Sequence, residues 1–148
     1  MRYVLDTNII IAYLRKQPFW YRIQETFGLF ETGNEVMLPA VIIGELRSLS
    51  IQNNWGERRK AEMEELINEF VPLFQLAEDA INRYAEIDAF SQGRLPGLRL
   101  ECSARNMGKN DLWIAAVASA LNATLVTTDG DFDHLNNRFL NVARFELK

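Results

Sequence analysis

Short apolar runs of strand length recur along the chain, and each is followed by a segment with helical spacing. "RYVLD", "EVMLP", "VPLFQL", "TLVTT" and "NVARFEL" read as strands. "IIIAYLRK", "FWYRIQETFGLF", "AVIIGELRSLS", "ERRKAEMEELINEF", "AEDAINRYAEIDAFSQ" and "NDLWIAAVASALNA" read as helices. Strands that alternate with helices are joined by crossovers, so they predict an α/β fold with a central, mostly parallel sheet. Thr7 or Asn8 is positioned to cap the first helix, Pro18 restarts the chain after it, and Gly56 punctuates the break "NNWGE". Pro72 weakens the third strand, because proline cannot donate to a central ladder. "GRLPGLRLECSARNMG" is the longest irregular stretch. No internal repeat, low-complexity tract or linker divides the 148 residues, which are expected to form one domain, 1–148.

Composition narrows the class further. Hydrophobic residues at 48% and charged residues at 24% are ordinary for a globular chain. No apolar run reaches the roughly 20 residues that cross a bilayer, and the start of the chain lacks a secretion-signal pattern. Cys102 is the sole cysteine, which excludes an intrachain disulfide. A cytoplasmic protein without membrane contact is the expectation. The net charge of −4 argues against a basic nucleic-acid face, but cations bound among clustered acids would reverse the local sign.

Most acids need no special account. Glu57, Glu62, Glu64, Glu65 and Glu69 form a solvated helix face balanced by Arg58, Arg59 and Lys60. Four others stand beside apolar residues. Asp6 closes the run "YVL" and precedes three isoleucines. Glu45 shares its helix face with Ile42 and Leu49, which aims its carboxylate inward. Asp111 opens a helix whose Ile114 and Ala115 lie on its own side. Asp129 follows "TLVTT", with Asp131 two residues later.

Taken one at a time, Asp6 and Asp129 read as turn or cap residues and Asp111 as a helix-start acid favoured by the dipole. Glu45 resists that treatment, and the four together point to a site. Ligands in open α/β sheets collect beyond the carboxyl ends of the strands, where Asp6 and Asp129 are expected. Inward carboxylates without cationic partners are costly, and a divalent ion relieves all of them. Oxygen-only donors without a Cys/His cluster suit Mg2+ or Mn2+ and not zinc.

The motifs "YVLDTNIII", "LPAVIIGELRSL", "KNDLWIAAVA" and "LVTTDGDFDHL", in this order, span nearly the whole chain and resemble those of the PIN-domain family, most closely its VapC-like ribonuclease toxins. The resemblance implies a Rossmann-like α/β/α sandwich and Mg2+- or Mn2+-dependent endonuclease activity on RNA. Position by position, Asp6, Glu45, Asp111 and Asp129 become the catalytic, metal-binding acids. Asp131 matches a further acid often present in the last motif. Thr7 and Asn8 match small polar positions near the first acid, and Thr128 a supporting hydroxyl. The partners implied are an RNA substrate, a cognate VapB-like antitoxin and a second copy in a homodimer. In this family the aromatic-rich region after the first helix commonly contributes to antitoxin binding and dimer formation. Phe19, Trp20, Tyr21, Phe27 and Phe30 therefore serve either those contacts or the core, core packing being the simpler account.

Arg47, Arg94, Arg99, Arg105 and Lys109 are candidates to guide a phosphate backbone, against the plainer reading as solubilising charges. His134, the only histidine, is expected to be exposed in a turn, which leaves no basis for a Ser-His-Asp arrangement. Cys102 has no activating partner in view. Trp113 falls on a different helix face from Asp111 and is read as packing. "GRLPG" lacks the GK[ST] of a phosphate loop. Two rival functions remain open: a Mg2+-dependent phosphatase with Asp6 as nucleophile, though Asn8 stands where a second acid is usual, and a catalytically inactive PIN-like RNA-binding or scaffolding module.

Overall fold

A computed structural model describes residues 1–146; Leu147, which falls within the expected last strand, and Lys148 lie outside the described residues. Five strands form one sheet: β1 Arg2–Leu5, β2 Glu35–Pro39, β3 Val71–Leu73, β4 Thr124–Thr127 and β5 Asn141–Arg144. Their order is β3-β2-β1-β4-β5, and every pairing is parallel. β1 and β4 run with almost no polar interruption, as strands covered on both faces must; Val4, Leu5, Leu125 and Val126 are fully buried. β3 is an edge strand, so Pro72 leaves no ladder donor missing between two neighbours. It is also shorter than expected, and Phe74 and Leu76 beyond it are exposed.

Six helices connect the strands: α1 Thr7–Leu14, α2 Pro18–Phe27, α3 Ala40–Gln52, α4 Glu57–Glu69, α5 Glu78–Ser91 and α6 Lys109–Ala120. Asp6, not Thr7 or Asn8, caps α1: its side chain accepts the Thr7 N–H, and Thr7 is already the first helical residue. Pro18 opens α2 with its ring in the preset first turn, and Gly28 closes it in a left-handed conformation at φ 57°. α6 is buried along nearly its whole length, from Leu112 through Ser119, and packs on α5. The acidic turn after β4 is a 3-10 helix, Gly130–Leu135, pinned to the core by Phe132 and Leu135. The expected strand "NVARFEL" ends at Arg144, although the Phe145 N–H still donates to the Thr127 carbonyl.

This topology sets where ligands can bind. From β1 the chain moves to β2 on one side, and later to β4 on the other. The strand order therefore reverses between β1 and β4. In open α/β sheets such a reversal is where ligands gather, beyond the carboxyl ends of the strands.

Candidate metal centre

Asp6 and Asp129 lie just beyond the ends of these two strands. Asp6 follows β1, and its backbone N–H still bonds Val126 of β4 at 2.9 Å. Only 6% of its surface is exposed. Its Oδ1 accepts the Thr7 N–H at 2.8 Å, and its Oδ2 accepts the Thr127 hydroxyl at 2.7 Å. The same Thr127 oxygen accepts the Asp129 N–H at 3.0 Å. Thr127 therefore joins the ends of both strands. It was not singled out in the sequence; its neighbour Thr128 was, and no bond to the acids involves Thr128 among the described residues.

Asp129 caps the 3-10 helix by accepting the Asp131 N–H at 2.9 Å. That cap brings Asp131 alongside. Asp111 reaches the same place from the first turn of α6, whose N-cap is Gly108 and therefore supplies no side-chain cap of its own. Carboxylate oxygens of Asp111, Asp129 and Asp131 lie within 4.8 Å of one another. Asp6 and Glu45 are outside this trio, yet both bear on Asp111 electrostatically. Glu45 projects from α3, and one of its carboxylate oxygens, Oε1, is buried without a hydrogen-bond partner among the described residues. The Thr7 hydroxyl is in the same condition.

Electrostatics record the crowding. Burial, and then Asp6, Asp129, Glu45 and Asp131 in turn, push the Asp111 carboxyl up to about 6. Burial is also the main cause at Asp6, where Asp129 adds to the rise and the bonds from Thr127 and Thr7 oppose it. At Glu45 burial leads and Asp6 adds; the Thr7 hydroxyl is near enough to offset part, although the two groups do not meet in hydrogen-bonding geometry. No lysine or arginine enters any of these three shifts. An all-oxygen donor set, an orphaned buried carboxylate oxygen and uncompensated negative charge fit a hard divalent cation.

Other candidates take different places. Arg47 is engaged away from the acids, forming a two-pronged pair with Glu64 at 3.0 and 3.1 Å. Arg94, Arg99 and Lys109 are exposed. Arg105 is half-buried, and its backbone N–H donates to the Ser91 carbonyl at 2.8 Å. Trp113 packs against Tyr84 with ring centroids 4.2 Å apart. Cys102 is exposed and free.

His134 departs from expectation. It is half-buried, its Nε2 lies 2.7 Å from the hydroxyl of fully buried Ser91, and its ring is parallel to that of Phe90. The polar letters around it hid Phe132 and Leu135, which pull the turn onto the core. The aromatic region divides as well. Trp20 is buried at 2% exposure and Phe19 and Phe27 pack on the core, whereas Tyr21 and Phe30 stand 57% and 44% exposed.

Comparison with known proteins fits this architecture. The sequence profile of the PIN domain matches residues 3–137. Over 141 residues the chain is 26% identical to "Ribonuclease VapC2" from Rickettsia felis, covering 95% of this chain and 96% of the relative. The VapBC-1 structure from nontypeable Haemophilus influenzae shares the fold with a TM-score of 0.75 and 26% identity, over 97% of this chain and 98% of that one. VapBC2 from Rickettsia felis, bound to a DNA fragment from its promoter, gives a TM-score of 0.75 at 22% identity, over 99% and 100% of the two chains.

Proposed function

The chain belongs to the PIN-domain family, and from that premise we propose that it is an endoribonuclease, dependent on Mg2+ or Mn2+, that serves as the toxin of a toxin–antitoxin pair. The observation that carries this reading is the cluster of Asp111, Asp129 and Asp131, on which Asp6 and Glu45 also bear electrostatically, with no lysine or arginine contributing to the Asp111 shift among the described residues. Asp6, Glu45, Asp111 and Asp129 would hold the metal, with Asp131 beside them. A divalent ion held there would supply Lewis acidity toward a phosphate and would lower the pKa of a bound water.

The chain's own residues fix the donors. The Thr7 N–H and the Thr127 hydroxyl hold Asp6 in one orientation, and the Asp131 N–H holds Asp129. Asp111 owes its place to the start of α6, where the helix dipole favours its anionic form even as its neighbours oppose it. None of these groups is asked to form a covalent bond. Both Asp6 oxygens are hydrogen-bonded and the residue is nearly buried, which speaks against its use as a phosphatase nucleophile. The assembled acids speak against an inactive scaffold.

A VapB-like antitoxin finds support in a groove of about 420 Å³ between α1, α2 and α4, where Tyr13, Tyr21 and Phe30 face Glu62, Glu65 and Glu69. The VapBC assemblies to which the fold is similar contain such a partner by name. Exposed Val71, Phe74 and Leu76, on and just beyond edge strand β3, favour a homodimer. No described helix is long and apolar enough to cross a membrane; action in the cytoplasm, where RNA is available, follows from the proposed role.

The test is expression in cells with transcriptome-wide mapping of new RNA 5′ ends, comparing wild type with Asp6→Asn, together with cleavage by purified protein in Mn2+ and in EDTA. New ends that depend on Asp6 and on the ion are expected. Failure of the rigorously purified protein to bind any divalent ion would overturn the mechanism.

A further inference from the structure

A second groove has one of the acids, Glu45, in its lining. It has a volume of about 520 Å³, within the roughly 300–1,000 Å³ of small-ligand sites. Val41, Gly44, Glu45, Ser48, Leu49 and Gln52 of α3 line it together with Asn110 of α6, next to Asp111. Glu45 thus belongs both to the candidate metal centre and to the groove's lining. Apart from Glu45 the groove is uncharged. Its polar groups are one hydroxyl and two side-chain amides, and the Gln52 Nε2 donates to the Ser48 Oγ at 2.7 Å, which holds that pair in place.

Gly44 is the informative residue. It lies inside α3, where glycine is the poorest helix former after proline. Glycines tolerated in helices usually serve a close approach by another part of the protein, but a Cβ built at Gly44 meets nothing within 4 Å. Nor does its backbone need a positive φ. Neither packing nor conformation asks for glycine here; the position is exposed, and the groove lies over it.

We infer that this groove is the subsite for a nucleotide next to the cleaved phosphodiester, with Gly44 as its floor and Ser48, Gln52 and Asn110 reading the base edge. The inference rests on the nuclease reading and deepens it. A strand whose phosphate sits at the acid cluster and that continues past Glu45 meets no further negative charge on this wall. Amides and hydroxyls match the donor and acceptor edges of an unstacked base, the usual target of sequence-specific RNA recognition. A protein helix packed over Gly44 is the competing occupant.

The experiment uses the full chain, Mn2+ and a random-sequence RNA 20-mer library, with sequencing of product ends. Gly44→Leu puts a side chain into the groove from a position where a Cβ meets no protein atom. It should melt no lower than wild type, since leucine is the better helix former, and bind Mn2+ within twofold of wild type, yet lose at least tenfold in kcat/KM. Asn110→Ala and Ser48→Ala should change the base preferred at one position flanking the cut. Cleavage by Gly44→Leu at the wild-type rate with wild-type preference overturns the subsite. So does a changed mass in light scattering with cleavage intact, which would assign the groove to a protein contact. A wild-type protein that binds Mn2+ but cuts nothing in the library instead overturns the nuclease reading, and the subsite with it.

Discussion

The Thr127 hydroxyl donates to Asp6 Oδ2 at 2.7 Å across a separation of 121 residues, and receives the Asp129 N–H at 3.0 Å. One side chain thus sets the orientation of the acid after β1 and the path of the chain after β4. Thr127→Val keeps the shape and removes the hydroxyl, leaving a buried carboxylate oxygen and a backbone N–H without partners. The expected loss is about 1–3 kcal/mol in urea unfolding. Mn2+ affinity should fall with it, and Thr127→Ser should restore both. Unfolding curves of Thr127→Val and wild type that superimpose would show the bond to be dispensable.

Asp111 makes the metal-free protein sensitive to pH. Its folded value, about 6, lies above the ordinary 3.8, so its contribution to stability is complete below its ordinary range and disappears as pH rises through about 6. At neutral pH without metal the acids repel one another. Asp111→Asn should therefore melt higher than wild type in EDTA at neutral pH, by on the order of a few °C. It should also lose the rise in melting temperature that Mn2+ gives wild type. Melting scans with EDTA and with Mn2+ check both statements.

The way Asp6 and Thr127 differ explains how much could be read from the sequence. Asp6, Glu45 and Asp111 betrayed themselves locally, because a carboxylate among apolar neighbours at strand or helix spacing has few innocent explanations. The alternation of strands and helices likewise specified a parallel sheet. Thr127 gave no such sign. Its role exists only because β4 pairs with β1 in a register that sets Leu5 beside Val126. The hydroxyl expected to support the site is Thr128, but the bonds to Asp6 and Asp129 are made by its neighbour Thr127, the last residue of β4. His134 is hidden for a similar reason: the turn's polar letters outnumber Phe132 and Leu135, but those two decide where the turn packs.

The basic residues should separate in function. Arg47 is paired with Glu64, and both side chains are about half exposed, so Arg47→Ala should cost no more than about 1 kcal/mol. RNA affinity should be unchanged. Arg94 and Arg99, in the irregular segment after α5, are exposed and form no ion pair among the described residues. If each meets a phosphate, its replacement by Ala should lower the slope of log affinity against log salt by about 0.7. Titrations of an uncleavable RNA at several salt concentrations measure this directly.

The exposed aromatics make a prediction about the partner. Tyr21→Asp and Phe30→Asp place charge in the groove beside Glu62, Glu65 and Glu69, where an apolar or basic segment would dock. Co-purification with the antitoxin should be lost while RNA cleavage by the free protein persists. Trp20→Ala, by contrast, opens a cavity in the core and should cost about 3–5 kcal/mol. Retained co-purification with both aspartate variants would place the antitoxin elsewhere.

His134 should give acid sensitivity of the opposite sign to that of Asp111. Burial, followed by the nearby Arg105 charge, holds its value below the ordinary 6.5, with Asp131 and Asp133 opposing. A neutral imidazole is therefore part of the folded state. Its contribution to stability is present above the ordinary value and is lost as pH falls through the lowered one. Acid thus strains the contact between the 3-10 helix and Ser91 while it relieves the repulsion among the acids. Wild-type stability against pH should show the two trends partly cancelling, and single variants should uncouple them. His134→Gln removes the acid-side loss, so its metal-free stability should improve more steeply on acidification than that of wild type. Asp111→Asn removes the opposing gain, so acid should destabilise it more than wild type. Urea unfolding in EDTA across this pH range gives all three curves; parallel curves for His134→Gln and wild type would mean that the ring titrates alike in the folded and unfolded chains.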